Sequence, residues 1–138
     1  MGGSGAAAPP EELGAFHRRY WRAWDLCDLG GTAECLDEDF AGTFAGPQGV
    51  PVLEVDRDGA LAMIAASFAQ ARGQQAAWRR TGLLVLQRAP GEAVAAMRVD
   101  CLFAAHPDWN NAELTVESYR RGADGRWRIA RVHSERLR

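Results

Sequence analysis

The chain contains no lysine, and all 16 of its cations are arginine. A GC-rich coding bias explains this more simply than 16 planar anion forks would, so it carries no functional meaning. Net charge is also lacking: 18 acidic residues leave a balance of −2, and no global field draws the molecule to nucleic acid or anionic lipid. Long hydrophobic runs are absent. The nearest, ALAMIAASFAQA at 60–71, falls short of the roughly 18 apolar residues a bilayer requires. Cysteine is scarce. Cys27, Cys35 and Cys101 are odd in number and lack CxxC spacing, which excludes a disulfide scaffold and a zinc knuckle. His17, His106 and His133 have no i, i+4 partner, so no metal site is expected. Neither a GxSxG elbow nor a GxxxxGK[ST] loop occurs, and no cofactor is expected. MGGSGAAAPP has no basic cluster and no apolar core, unlike a secretory signal. Reduced thiols in the cytoplasm are the expectation.

What is present is globular. At 138 residues, 47% hydrophobic and 25% charged, the chain predicts a disordered tail over 1–10 and one domain over 11–138. Between Pro10 and Leu29, apolar residues recur at spacings of three and four, an amphipathic helical stripe. Gly30 and Gly31 are expected to stop that helix, and Thr32 to cap a short second one. Phe40 to Phe44 reads as a short extended piece, followed by the Gly/Pro-rich loop AGPQGVP. Asp56 or Asp58 should cap a third helix, Gly59 to about Ala71, closed by Gly73.

Beyond Gly73 the period changes to that of strands. Four candidates, Ala77–Ala89, Glu92–Ala105, Ala112–Arg121 and Arg126–Leu137, are separated by turns at Pro90-Gly91, at HPDWNN and at Asp124-Gly125. Met97, Val99, Cys101 and Phe103 share one face of the second candidate. In the last candidate, strict alternation puts Trp127 and Ile129 on one side and Ala130 and Val132 on the other. A strand apolar on both sides predicts a partner on its open face, and a homodimer through that face is expected. The fold class expected is α+β, three N-terminal helices packed on a strongly curved, mainly antiparallel sheet.

RYWRAWDLCDLGGTAECLDEDF, from Arg19 to Phe40, and DGRWRIARVHSE, from Asp124 to Glu135, resemble the opening helices and the final hairpin of the nuclear transport factor 2-like superfamily. This cone-shaped fold includes ketosteroid isomerases, SnoaL-like cyclases and the association domain of calmodulin-dependent kinase. Members bind, catalyse or assemble on one scaffold, so the fold alone selects no activity. By the isomerase resemblance, Tyr20 matches the helix tyrosine that donates to a developing oxyanion, and Glu117 matches the strand acid beside it. Phe44 falls where those enzymes carry the aspartate base, and a phenyl ring takes no proton, so steroid isomerisation is not expected. By the association-domain resemblance, His133 matches that domain's second histidine, whereas Cys101 and Glu117 stand in for two of its pocket arginines.

Tyr20, Glu117 and His133 are therefore the candidate catalytic groups. With Trp24, Phe44, Met97, Val99, Cys101 and Phe103 they form the candidate lining of a cavity for a small apolar ligand. Each has a plainer reading. Glu117 could pair with an arginine on a solvated face, His133 could bond a backbone carbonyl, and Tyr20 with Trp24 could be simple core. Arg18, Arg19 and Arg22 read as a solvated helix face. Two functions follow from the two possible interiors. An open cone implies a small-molecule protein with isomerase- or cyclase-like acid–base chemistry, and a filled one implies a non-enzymatic dimerisation or accessory module.

Overall fold

The computed structural model describes residues 10–46 and 52–137, so the expected tail up to residue 9 and loop residues 47–51 lie outside the described residues. Helix α1 spans Leu13–Asp25, shorter at both ends than the apolar stripe. Its start is set by tertiary anchoring. The Glu11 N–H donates to the Gly125 carbonyl (2.9 Å), the Glu11 carboxylate accepts from the Trp127 N–H (3.0 Å), and the same carboxylate pairs with Arg19 (3.0 Å). Arg19 thus leaves the solvated patch expected for it.

After α1, Cys27 takes a left-handed φ of +51°, and Asp28 caps helix α2, Leu29–Glu34, by accepting from the Gly31 N–H (2.9 Å). Gly30 and Gly31 sit in the first turn of α2 and stop nothing. A Cβ on Gly31 would come 2.6 Å from an Asp28 carboxylate oxygen, so the cap itself needs the glycine. Thr32, expected as the cap, is wholly buried and donates to the Asp28 carbonyl.

Strand β1, Leu36–Ala45, outruns the short extended piece expected. Strand β2, Val52–Asp56, had no counterpart in the sequence reading. Helix α3, Arg57–Gln74, is capped by Asp56, whose carboxylate accepts from the Gly59 N–H (2.8 Å). It runs through Gly73 and ends at Gln75, which takes the left-handed conformation expected of the glycine. Strands β3 (Ala76–Ala89), β4 (Glu92–Phe103), β5 (Asn111–Arg121) and β6 (Trp127–Arg136) follow within a residue or two of the expected bounds. A 3-10 turn at Pro107–Trp109 joins β4 to β5. The sheet order is β2-β1-β6-β5-β4-β3: a meander from β3 to β6, then β1 parallel to β6 and β2 antiparallel to β1. The helices cover one face. Phe16, Trp127 and Ile129 form the buried centre of that layer, each worth about 1.5–3 kcal/mol of apolar burial.

One register irregularity changes the reading of β6. Ser118 pairs with Arg131 and Tyr119 with Ile129, leaving Ala130 as a bulge that resets the alternation. Val132 therefore joins Ile129 on the helix side, and Arg131 and His133 point outward. The two-sided apolarity expected of this strand does not exist. Directly paired residues share a face, so the chain Leu84, Ala96, Val116, His133 traces the outer side of the sheet. Its exposed apolar residues are Leu84, Leu86, Leu114 and Val116, on β3 and β5. Among the described residues, no helix is long and apolar enough to cross a membrane.

Candidate functional site

A cavity of about 280 Å³ lies between the inner sheet face and helices α1 and α3. Period-2 alternation aims Met97, Val99, Cys101 and Phe103 of β4 into it, and Phe44 of β1 joins them. Helix α1 contributes Tyr20 and Trp24, one turn apart. Helix α3 closes the other side with Met63 and Ile64. Glu117 lies in the wall, 4% exposed, so it is not a surface partner of an arginine. His133 is absent from the wall. The Ala130 bulge hands the inward positions to Val132 and Ser134, and His133 is left exposed on the outer face.

The polar end of the cavity is built around Glu117. The Tyr119 hydroxyl donates to Glu117 Oε1 at 2.6 Å, and both side chains are buried. Burial pushes the Glu117 carboxyl up to about 7, against the opposing pull of the Tyr119 hydrogen bond and the Arg80 charge. Burial likewise pushes Tyr20 upward, with the Glu117 charge adding to the effect, so its hydroxyl keeps its proton and can only donate or accept a hydrogen bond. Trp24 Nε1 is buried without a hydrogen-bond partner; it lies close enough to bias the Tyr20 oxygen yet outside hydrogen-bond geometry. Near neutrality Glu117 is poised between donor and base. Tyr20 lines the same cavity, close enough for the Glu117 charge to act on it, so two side chains able to donate face one interior.

Several features escaped the sequence reading. Arg80 lies in the wall, its guanidinium 5.4 Å from the Trp21 ring centre and 3.2 Å from Asp25. Tyr119 is the direct partner of Glu117, and the i, i+2 rule for strands could have paired them. Farther along, Thr115 and Ser134 sit 2.8 Å apart, and Ser134 donates to Glu113 at 2.9 Å. Arg136 completes the line 3.5 Å from Glu113. The buried His17, stacked on Trp21 at 5.1 Å, has an Nε2 without a partner, and burial lowers its pKa. Among the described residues, no cluster of metal-ligating side chains occurs.

Neither a protein-family model nor a curated protein matches the chain. Solved structures do. The chain superposes at a TM-score of 0.74 on an NTF2-like protein of unknown function from Pseudomonas putida KT2440, with 16% identity over 89% of this chain and 82% of that one. The chain has the NTF2-like fold. A ketosteroid isomerase-like protein from Erwinia carotovora atroseptica SCRI1043 matches at 0.59 and 17% identity, over 91% of this chain and 94% of that one. A suggested dehydratase of the NTF2-like family from Streptomyces avermitilis matches at 0.69 and 17%, with the same two coverages. At such identities the shared property is the NTF2-like architecture, a helix-covered curved sheet, and the chemistry must come from the side chains.

Proposed function

We propose that this NTF2-like protein binds a small, mostly apolar molecule through one hydrogen-bond-accepting oxygen, a carbonyl being the simplest case. Glu117 and Tyr20 are the groups that hold and polarise it. The observation that carries the reading is a buried carboxyl, poised near neutrality beside two tyrosines, in the wall of an otherwise largely apolar cavity. A chemical step, if the ligand undergoes one, is proton transfer between Glu117 and that oxygen, because the carboxyl that donates to the oxygen cannot at once take a proton from the neighbouring carbon. Phe44 stands in the wall where the isomerase resemblance would need a second carboxylate, so that reaction is not part of the proposal. The open volume argues for this reading over a filled accessory module.

Tryptophan fluorescence tests it, because Trp21, Trp24 and Trp78 all line the cavity. 1-Tetralone, a bicyclic ketone, should quench or shift the emission saturably at pH 6 and bind more weakly as pH rises through about 7, where Glu117 loses its proton. Glu117→Gln keeps a donor at every pH and should remove that dependence. No saturable binding, or binding unchanged from pH 6 to 8.5, overturns the proposal.

Assembly and compartment complete the proposal. A second copy of the chain covers the outer sheet face around Leu84, Leu86, Leu114 and Val116, whose exposure a symmetric pair would relieve. Cytoplasmic residence agrees with three free thiols, two of them buried.

A further inference from the structure

The hydrogen bonds beyond Glu117 have a direction. The Glu113 carboxylate, paired with Arg136, can only accept, and Ser134 donates its single proton to it. Ser134 Oγ then has only lone pairs for its second contact, so the 2.8 Å bond to Thr115 must be donated by Thr115. Thr115 has spent its own proton. What it offers the cavity it lines is an acceptor, at a buried position where an unmet polar group is costly.

The two ends of the polar stripe are thus opposite in sense. Tyr20 and Glu117 offer donors, and Thr115 offers lone pairs. Glu117 and Thr115 are two residues apart on one strand face, which spaces them by about 7 Å. Met97, the cross-strand neighbour of Thr115, supplies apolar wall beside them.

Resting on the reading of Glu117 as the carbonyl-binding group, we infer that the ligand is a hydroxy-carbonyl compound: a compact apolar body carrying a hydroxyl or N–H donor about 7 Å from its carbonyl oxygen, received by Thr115 Oγ1. The Glu113–Ser134–Thr115 chain acts as a specificity device. It favours a donor over a bare hydrocarbon edge and disfavours an acceptor at that spot.

Three ketones on one scaffold separate the possibilities, titrated at pH 6 against the intact protein by tryptophan fluorescence. 6-Hydroxy-1-tetralone presents a donor opposite its ketone, 6-methoxy-1-tetralone presents only an acceptor there, and 1-tetralone presents neither. The hydroxy compound should bind about fivefold to tenfold more tightly than 1-tetralone, and the methoxy compound more weakly than either. Thr115→Val, nearly isosteric, should abolish the hydroxyl's advantage over 1-tetralone. Ser134→Ala frees the Thr115 proton and should cancel the penalty on the methoxy compound, giving a second readout should the valine variant fold poorly. Equal binding of all three ketones to the wild type, or a hydroxyl advantage that survives Thr115→Val, overturns this inference and leaves the carbonyl site standing. Failure of all three to bind overturns the carbonyl site itself, and this inference with it.

Discussion

Strands β4 and β5 lie side by side in the same sheet and obey opposite rules. On β4 the inward row is Ala93, Ala95, Met97, Val99, Cys101 and Phe103, and the outer side carries the Arg98–Asp100 ion pair at 3.0 Å. On β5 the inward row is Asn111, Glu113, Thr115, Glu117 and Tyr119, and the outer side carries Ala112, Leu114 and Val116. The first pattern is what a strand backed by helices requires. The second would be ruinous for a filled core, because each buried polar group must find a partner or cost on the order of 1–3 kcal/mol. It is tolerable because the stripe bonds to itself, Tyr119 to Glu117 and Thr115 through Ser134 to Glu113. An inverted strand beside an ordinary one marks where the interior is a polar-walled cavity rather than a filled core.

The largest effect should come from imposing the β5 rule on β4. Met97→Asp puts a carboxylate opposite Thr115, with the loss of a buried Met side chain added to the desolvation of a charge. Chemical denaturation should show a loss of at least about 4 kcal/mol, and a milder cost would mean the cavity is wet enough to solvate any carboxylate. Glu117 would then need no special surroundings.

Next comes the pH dependence of Glu117 itself. Its folded-state pKa, about 7, lies above the ordinary 4.5, so the folded protein holds a proton that the unfolded chain has released between those values. Stability from this group is therefore greatest at low pH and falls as pH rises, by up to about 3 kcal/mol once pH exceeds about 7. Glu117→Gln should flatten that limb of a urea-midpoint profile. A wild-type profile that instead rises from pH 5 to 8 more steeply than the variant's would reverse the assignment.

How much of this contrast is legible in the sequence follows from period and pairing. Alternation alone places Met97 to Phe103 inside, and it places Glu117 with Thr115 and Tyr119. His133 is misread for a physical reason: a bulge at Ala130 leaves no compositional trace, and one extra residue flips every side chain after it. Asp28 and Asp56 as caps are local signals, the second one of the two alternatives the sequence offers, whereas the Gly30-Gly31 pair mimics a stop signal while serving the cap. Arg80 entered the cavity because β3 pairs it with Val99, a long-range register that the sequence pattern does not encode.

The outer faces give a third, smaller test. If Leu84, Leu114 and Val116 are exposed because a second copy covers them, Val116→Arg at the centre of that surface should weaken association by about 2 kcal/mol while leaving the fold intact. Sedimentation at tens of micromolar reads the change directly. A wild type that is already monomeric, or a dimer indifferent to this substitution, removes the proposed partner and leaves the apolar side of β5 without a purpose.

The smallest effect expected is that of Thr115→Val on the empty protein. The substitution deletes one donated hydrogen bond and replaces a hydroxyl with a methyl in a wall shared with Met97. Ser134 keeps its proton on Glu113, so no donor is orphaned; only one lone pair of Ser134 loses its contact. The apolar gain offsets much of that loss, and the net change in urea-measured stability should stay below about 1 kcal/mol. Such a value would fit a polar stripe kept for what it binds. A loss beyond about 2 kcal/mol would instead make the Thr115–Ser134–Glu113 chain a structural tie between β5 and β6, and the inversion of β5 would then belong to the fold at this end and to the site only at Glu117.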